Sequence, residues 1–176
     1  MPRRIVTGYR AGKSVIVADN VPIGPAYENS MGFSNTEFWS TPAVPAHPGP
    51  SIQAGPTGHL PAPGESQLLI VTFPPDANYA SADFNPALAA AEQARLMPGI
   101  AACFESDNPG MHRTPTVDYV IVLEGELILE LDDGERRTLH SGDIVVQNGI
   151  RHAWRNPGDR PAVIAAILIG DADAAA

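Results

Sequence analysis

Between residues 117 and 169 the chain carries a close succession of short strand-like segments (117–124, 126–131, 136–139, 143–147, 152–155 and 162–169), several of them apolar and β-branched, each followed within three residues by a glycine. Segments this short are too brief for stable helices and suit strands that pair with their neighbours across tight turns. The turn Asp132-Asp133-Gly134 is a strong hairpin signal, because glycine takes the positive φ that such turns require. The 18 Pro and 16 Gly of the chain, with lysine nearly absent, extend the same reading upstream and predict an all-β architecture. At 176 residues the chain has the length of one ordinary domain, able to bury a core without disulfides or a structural metal.

Upstream of that region the pattern is looser. Residues 3–8 and 13–19 are β-branched runs around a Gly-containing turn and predict a hairpin. Residues 36–40 suit a further short strand, and residues 42–63 carry Pro and Gly too often for a regular ladder, so they read as a loop wrapped along the surface or a partner subunit. His47 and His59 in this loop read as solvated. Residues 67–73 form an almost continuous apolar run, as expected of a strand buried on both faces. Residues 86–97 predict the one helix, with Pro86 in the first turn behind Asn85 and Pro98-Gly99 as the stop. Residues 1–66 are thus expected to be an N-terminal β extension and loop of the same domain, and 67–176 the barrel.

The formal charge of −9 and the absence of a Lys/Arg run argue against nucleic acid as a partner. No apolar stretch is long enough to span a membrane. The single cysteine, Cys103, has no internal disulfide partner, and the first residues lack the apolar core of a signal peptide, so a reducing cytoplasm is expected. Cys103 itself reads as a small core residue between Ala102 and Phe104.

Chemistry-bearing residues concentrate in two places. In an extended segment His112, Thr114, Thr116 and Asp118 share one face, interrupted by Pro115, which suits a sheet edge or barrel mouth. A second segment runs from Gly142 through Asn148-Gly149 and puts His152, Trp154 and Asn156 on one face. Tyr119 has the opposite parity and reads as outward-facing, as do Arg113 and Arg151, for which surface ion pairs are expected. His140 reads as exposed.

In these two segments the sequence resembles the cupin superfamily. His112-Arg113-Thr114-Pro115-Thr116-Val117-Asp118, followed at the family's spacing by Gly125, is similar to the first cupin motif. Gly142-Asp143 through Gly149-Ile150-Arg151-His152 and on to Asn156 is similar to the second. Thr114 stands where the family usually has a histidine, Asp118 where it has glutamate, and the second motif is one residue short and lacks its proline. The resemblance covers residues 110–169 and implies a double-stranded β-helix, the cupin or jelly-roll barrel, here with an N-terminal β extension and one short helix.

It further implies a divalent metal (Fe, Mn, Zn or Ni) held by His112, Asp118 and His152. By parity Thr114 and Trp154 are candidates to line a substrate pocket, and Trp154 suits a core-filling role equally well. The alternative role for Asp118 is to orient a histidine from outside the coordination shell, since aspartate is one methylene shorter than glutamate. The expected function is a small metal-dependent lyase, decarboxylase, dehydratase or isomerase acting on a small organic acid or aromatic metabolite. An Fe(II)-dependent dioxygenase with a two-His, one-carboxylate site and a non-catalytic small-molecule-binding barrel are the alternatives. The family also implies a homodimer, for which the N-terminal ribbon offers free edges.

Overall fold

The β-branched runs at the N-terminus do form a hairpin, and the turn between them shows why. Strand β1 (Arg4–Arg10) and strand β2 (Lys13–Asn20) pair antiparallel around Ala11 and Gly12. Both turn residues have positive φ, 50° and 75°, the twist that matches the right-handed twist of the flanking strands. The computed structural model describes residues 1–45 and 60–171; most of the expected loop, with His47 and His59, lies outside the described residues.

The remaining strands build two facing sheets. The larger has five strands in the order β3 (Ser34–Thr41), β4 (Ser66–Phe73), β10 (Ala162–Gly170), β5 (Thr116–Glu124) and β8 (Ile144–Asn148). The smaller has β7 (Arg136–His140), β6 (Glu126–Glu130) and β9 (Ala153–Arg155). This is the two-sheet, all-β barrel expected from the strand pattern. Strand β3, upstream of residue 67, is an edge strand of the larger sheet. The β6–β7 turn uses positive φ at Asp133 and Gly134, 55° and 74°.

Alternation along β5 sorts its residues between two environments. Thr116, Asp118, Val120 and Val122 are buried toward the barrel interior, where Val120 and Val122 pack with Leu127, Leu129 and Leu139 of the smaller sheet. The opposite face of the larger sheet carries a second cluster, Phe38, Ile70 and Ala165. The β1–β2 ribbon lies beside that outer face, with a cavity of about 440 Å³ lined by Ile5, Val6, Phe38, Trp39 and Leu68 among others. Arg4 donates from Nη1 to the Phe38 carbonyl at 2.8 Å. Strand β4 is therefore apolar on both faces because both are covered.

Helix α1 (Pro86–Leu96) starts where Asn85 accepts hydrogen bonds from the Ala87 and Leu88 amides, both at 3.1 Å. Its buried Glu92 receives the Glu28 amide, the Asn29 amide and side chain, and the Ser30 hydroxyl, at 2.7–3.1 Å. Burial pushes this carboxyl up, but those hydrogen bonds outweigh it and hold the group below the usual carboxylate range. The chain does not leave helical geometry for good at Pro98-Gly99: a four-residue helix, α2 (Pro98–Ala101), follows at once. Proline ends one helix but is equally suited to the first turn of the next, so the expected stop is also a start. Among the described residues no helix is long and apolar enough to cross a membrane.

Candidate functional site in the barrel

The two histidine segments meet as an isolated antiparallel bridge. The His112 amide donates to the His152 carbonyl and the His152 amide to the His112 carbonyl, each at 2.9 Å. This reciprocal pairing brings the rings to 4.3 Å between centroids, tilted by 52°. Each ring is fixed from behind, with Nδ1 of His112 3.0 Å from the Gly110 carbonyl and Nδ1 of His152 2.9 Å from the Ile150 carbonyl. A carbonyl only accepts, so Nδ1 carries the proton in both neutral rings and Nε2 carries the lone pair. Burial lowers the pKa of His112, against opposing effects of the Gly110 carbonyl and Glu105. Burial and the neighbouring His112 push His152 down to about 4. At neutral pH the pair is two uncharged imidazoles.

Arginines adjoining these histidines stitch the two segments together. Arg113 donates to the Gly149 carbonyl at 2.6 Å, reaching from the His112 segment into the loop before His152. In the other direction Arg151 grips Glu105 with two hydrogen bonds of 2.5 and 2.6 Å and also holds Asp132. Arg155 adds a bond to the Pro109 carbonyl at 2.6 Å and pairs with Glu130 at 2.7 Å. The expected outward role of Arg151 is found, with the added effect of bracing both loops. His140 is exposed beside Glu126 and Asp143. Tyr119 faces out and is 44% exposed.

Asp118 is 6% exposed and shares the interior face of β5 with Val120. Burial raises its carboxyl to about 6, against the pull of the Thr116 and Thr114 hydroxyls. Those hydroxyls also bond to each other, Thr116 donating to Thr114 at 2.8 Å. Directly opposite Asp118 on β8 stands Gln147, 2% exposed. Asp118 Oδ1 and Gln147 Nε2 are both buried without a hydrogen-bond partner. Gln147 was not singled out from the sequence. Its signal is parity: it shares a face with Val145, which packs on the interior core.

Trp154 lies 6.0 Å from His152 and 6.4 Å from Phe73, which in turn stands 6.0 Å from Phe33. All three aromatics are partly exposed and pack against the interior core, forming an apolar wall that ends at the histidine pair. Asn156, at the end of the second motif, is committed to structure: its amide donates to the Phe73 and Arg160 carbonyls and its oxygen receives the Gly158 amide.

A metal in this barrel is implied by the motifs, and the donor chemistry fits it in part. Two neutral imidazoles with Nδ1 on backbone carbonyls have the orientation metal-ligating histidines adopt. The partnerless Asp118 oxygen is a third donor of suitable type on the same interior. Among the described residues, however, no group of three or more His, Cys, Asp or Glu side chains is assembled to hold an ion. His112 and His152 are brought together, and Asp118 is not brought into one cluster with them.

The barrel, its paired motifs and its histidine pair fit the cupin pattern over the second half of the chain. Residues 105–169 match the family described as "Cupin domain", which identifies that part of the chain as a cupin domain. Among curated proteins it is similar to "Oryzines biosynthesis cluster protein J" of Aspergillus oryzae, 55% identical over 49 residues, 28% of this chain and 27% of that protein. It is similar to the "Cupin-domain-containing oxidoreductase virC" of Hypocrea virens, 50% identical over 46 residues, 26% of this chain and 24% of that protein. The chain thus spans about a quarter of the length of these curated relatives. Among solved structures, an uncharacterized double-stranded β-helix protein of Klebsiella pneumoniae is 17% identical with a TM-score of 0.40, covering 61% of this chain and 69% of that one.

Proposed function

We propose that this cupin is an enzyme acting on a small organic acid or aromatic metabolite inside the barrel, with His112 and His152 as its working pair. The carrying observation is that pair: two uncharged imidazoles, 4.3 Å apart, each held by its Nδ1. His112 and His152 would hold a divalent cation through Nε2. When bound, the ion supplies Lewis-acid polarisation of a substrate carbonyl or carboxylate. Asp118, raised to about 6, is the carboxylate suited to exchange a proton with a bound substrate near neutral pH. The aromatic wall excludes water from the apolar side of the site. The reaction classes that suit these groups are decarboxylation, dehydration and isomerisation.

A redox reading has its own support: several relatives carry the printed name "Cupin-domain-containing oxidoreductase". In that reading the same pair serves Fe(II)-dependent oxygen chemistry. Elemental analysis of the purified wild type beside His112→Ala and His152→Ala tests the metal reading. The expected result is bound divalent metal that falls at least tenfold in both variants. Unchanged metal content would overturn the ligand assignment. Turnover that persists without oxygen selects the lyase or isomerase, and oxygen uptake dependent on added Fe(II) selects the oxygenase.

A further inference from the structure

We infer that the chain has a second small-molecule site outside the barrel, in the cavity between the N-terminal ribbon and the outer face of the larger sheet, and that it takes a medium-chain aliphatic monocarboxylate with its head on Arg4. The inference goes beyond the proposed function, which concerns the opposite face of the same sheet.

Strand register builds the floor of this site. Trp39 of β3 stands opposite Leu68 of β4, and Leu68 opposite Ile167 of β10, so the three side chains form one row across three strands. Their sequence neighbours Leu69, Ala166 and Leu168 belong to the interior core, which places the row on the outer face. Ile5 and Val6 of β1 close over it to leave a cavity of about 440 Å³, a volume that suits a small ligand. The ribbon covers the row incompletely: Trp39, Leu68, Ile167 and Val6 are only partly buried, and Ile5 is 52% exposed. An apolar ligand would take that remaining surface out of water.

Arg4 sets the chemistry of the ligand's head. It lines the same cavity, and its two hydrogen bonds, from Nε to Asn20 Oδ1 at 3.1 Å and from Nη1 to the Phe38 carbonyl at 2.8 Å, both go to uncharged acceptors. A guanidinium carries N–H donors on all three nitrogens, and Nη2 makes neither bond. Among the described residues no ion pair involves Arg4, whereas the adjacent Arg3 is paired with Asp19. A half-buried cation without a counter-ion, beside an apolar floor, matches a molecule with one anionic and one apolar end. A carboxylate accepts from two guanidinium N–H groups at once. In a chain of net charge −9 a single negative charge is also repelled less than the two of a phosphate. The floor gives the length. Three strands span about 10 Å, which an extended alkyl chain covers with about eight carbons.

Isothermal titration of the full chain with decanoate, 1-decanol and butyrate tests this. Decanol keeps the tail without the charge, and butyrate keeps the charge without the tail. The expected result is one decanoate per chain, bound at least tenfold tighter than either of the others. Arg4→Gln should bring decanoate to within about threefold of decanol, and Leu68→Trp, which fills the floor, should weaken decanoate at least tenfold. His112→Ala should leave decanoate within about twofold of wild type. Decanoate no tighter than decanol would overturn the inference, as would many molecules bound per chain, the mark of an amphiphile on any apolar surface. A carboxylate preference that survives in Arg4→Gln, or unchanged binding in Leu68→Trp, would overturn it too. So would decanoate binding lost in His112→Ala or on adding a chelator, because the acid would then sit in the barrel. The comparison of ligands on wild type needs no variant, so a misfolded Arg4→Gln or Leu68→Trp leaves the test intact.

Discussion

Burial acts on His152 and Asp118 with opposite sign. His152 falls from 6.5 to about 4, so the unfolded chain binds its proton first, and stability is withdrawn as pH drops through that window. Asp118 rises from 3.8 to about 6, so the folded chain binds the proton first, and its contribution is lost as pH climbs through that window. Between roughly pH 4 and 6 the two slopes oppose each other. Asp118→Asn should leave His152 unopposed and steepen the gain in stability with rising pH. At pH 7 the same variant should be about 1–3 kcal/mol more stable than wild type, the order expected from a shift of this size. Urea denaturation midpoints from pH 4 to 7 measure both effects, and an unaltered pH profile in the variant would refute the assignment.

At the scale of elements, helix α1 is fastened to the chain before β3 by one side chain. Glu92 collects hydrogen bonds from Glu28, Asn29 and Ser30, so Glu92→Gln, which turns one acceptor oxygen into a donor facing amides, should cost about 1–3 kcal/mol. Thermal unfolding of the variant checks this; a loss below about 0.5 kcal/mol, the scatter of surface substitutions, would show the clamp to be inert. Such fastenings were not legible in the sequence, because Glu92 sits in an Ala-rich helix like any solvated glutamate and its partners lie more than 60 residues away. The strands were legible, since β-branched runs bounded by glycine report a local preference. The α2 turn was hidden by the double meaning of proline. Gln147 was hidden at the end of an apolar strand, because its burial depends on register with β5. The histidine pair could be read from its motifs, whereas the distance from Asp118 to that pair depends on how the strands close.

Taken whole, the molecule exposes apolar side chains on two of its parts among the described residues. Tyr119, Leu123, Ile144 and Val146 stand exposed on the outer face of β5 and β8, and Ile5, Tyr9 and Ile16 are exposed on the ribbon. The β5–β8 group is contiguous, since Tyr119 pairs with Val146 across the strands, and contiguous apolar surface marks association sites. A homodimer is therefore the expected state, and Ile144→Glu should shift it to monomer without loss of fold. Sedimentation velocity decides the matter. A wild type that runs as a monomer at all concentrations would remove the dimer.

The reciprocal main-chain bonds between positions 112 and 152 set the spacing of the imidazoles by β geometry, which any pair of residues there would inherit. Positions 116, 118 and 147 present side chains to the same interior from strands equally independent of what they carry. Scaffold and reagent are thereby separable. One or two exchanged side chains would give a barrel of the same shape a different repertoire, and the chain on which that change is made need not move.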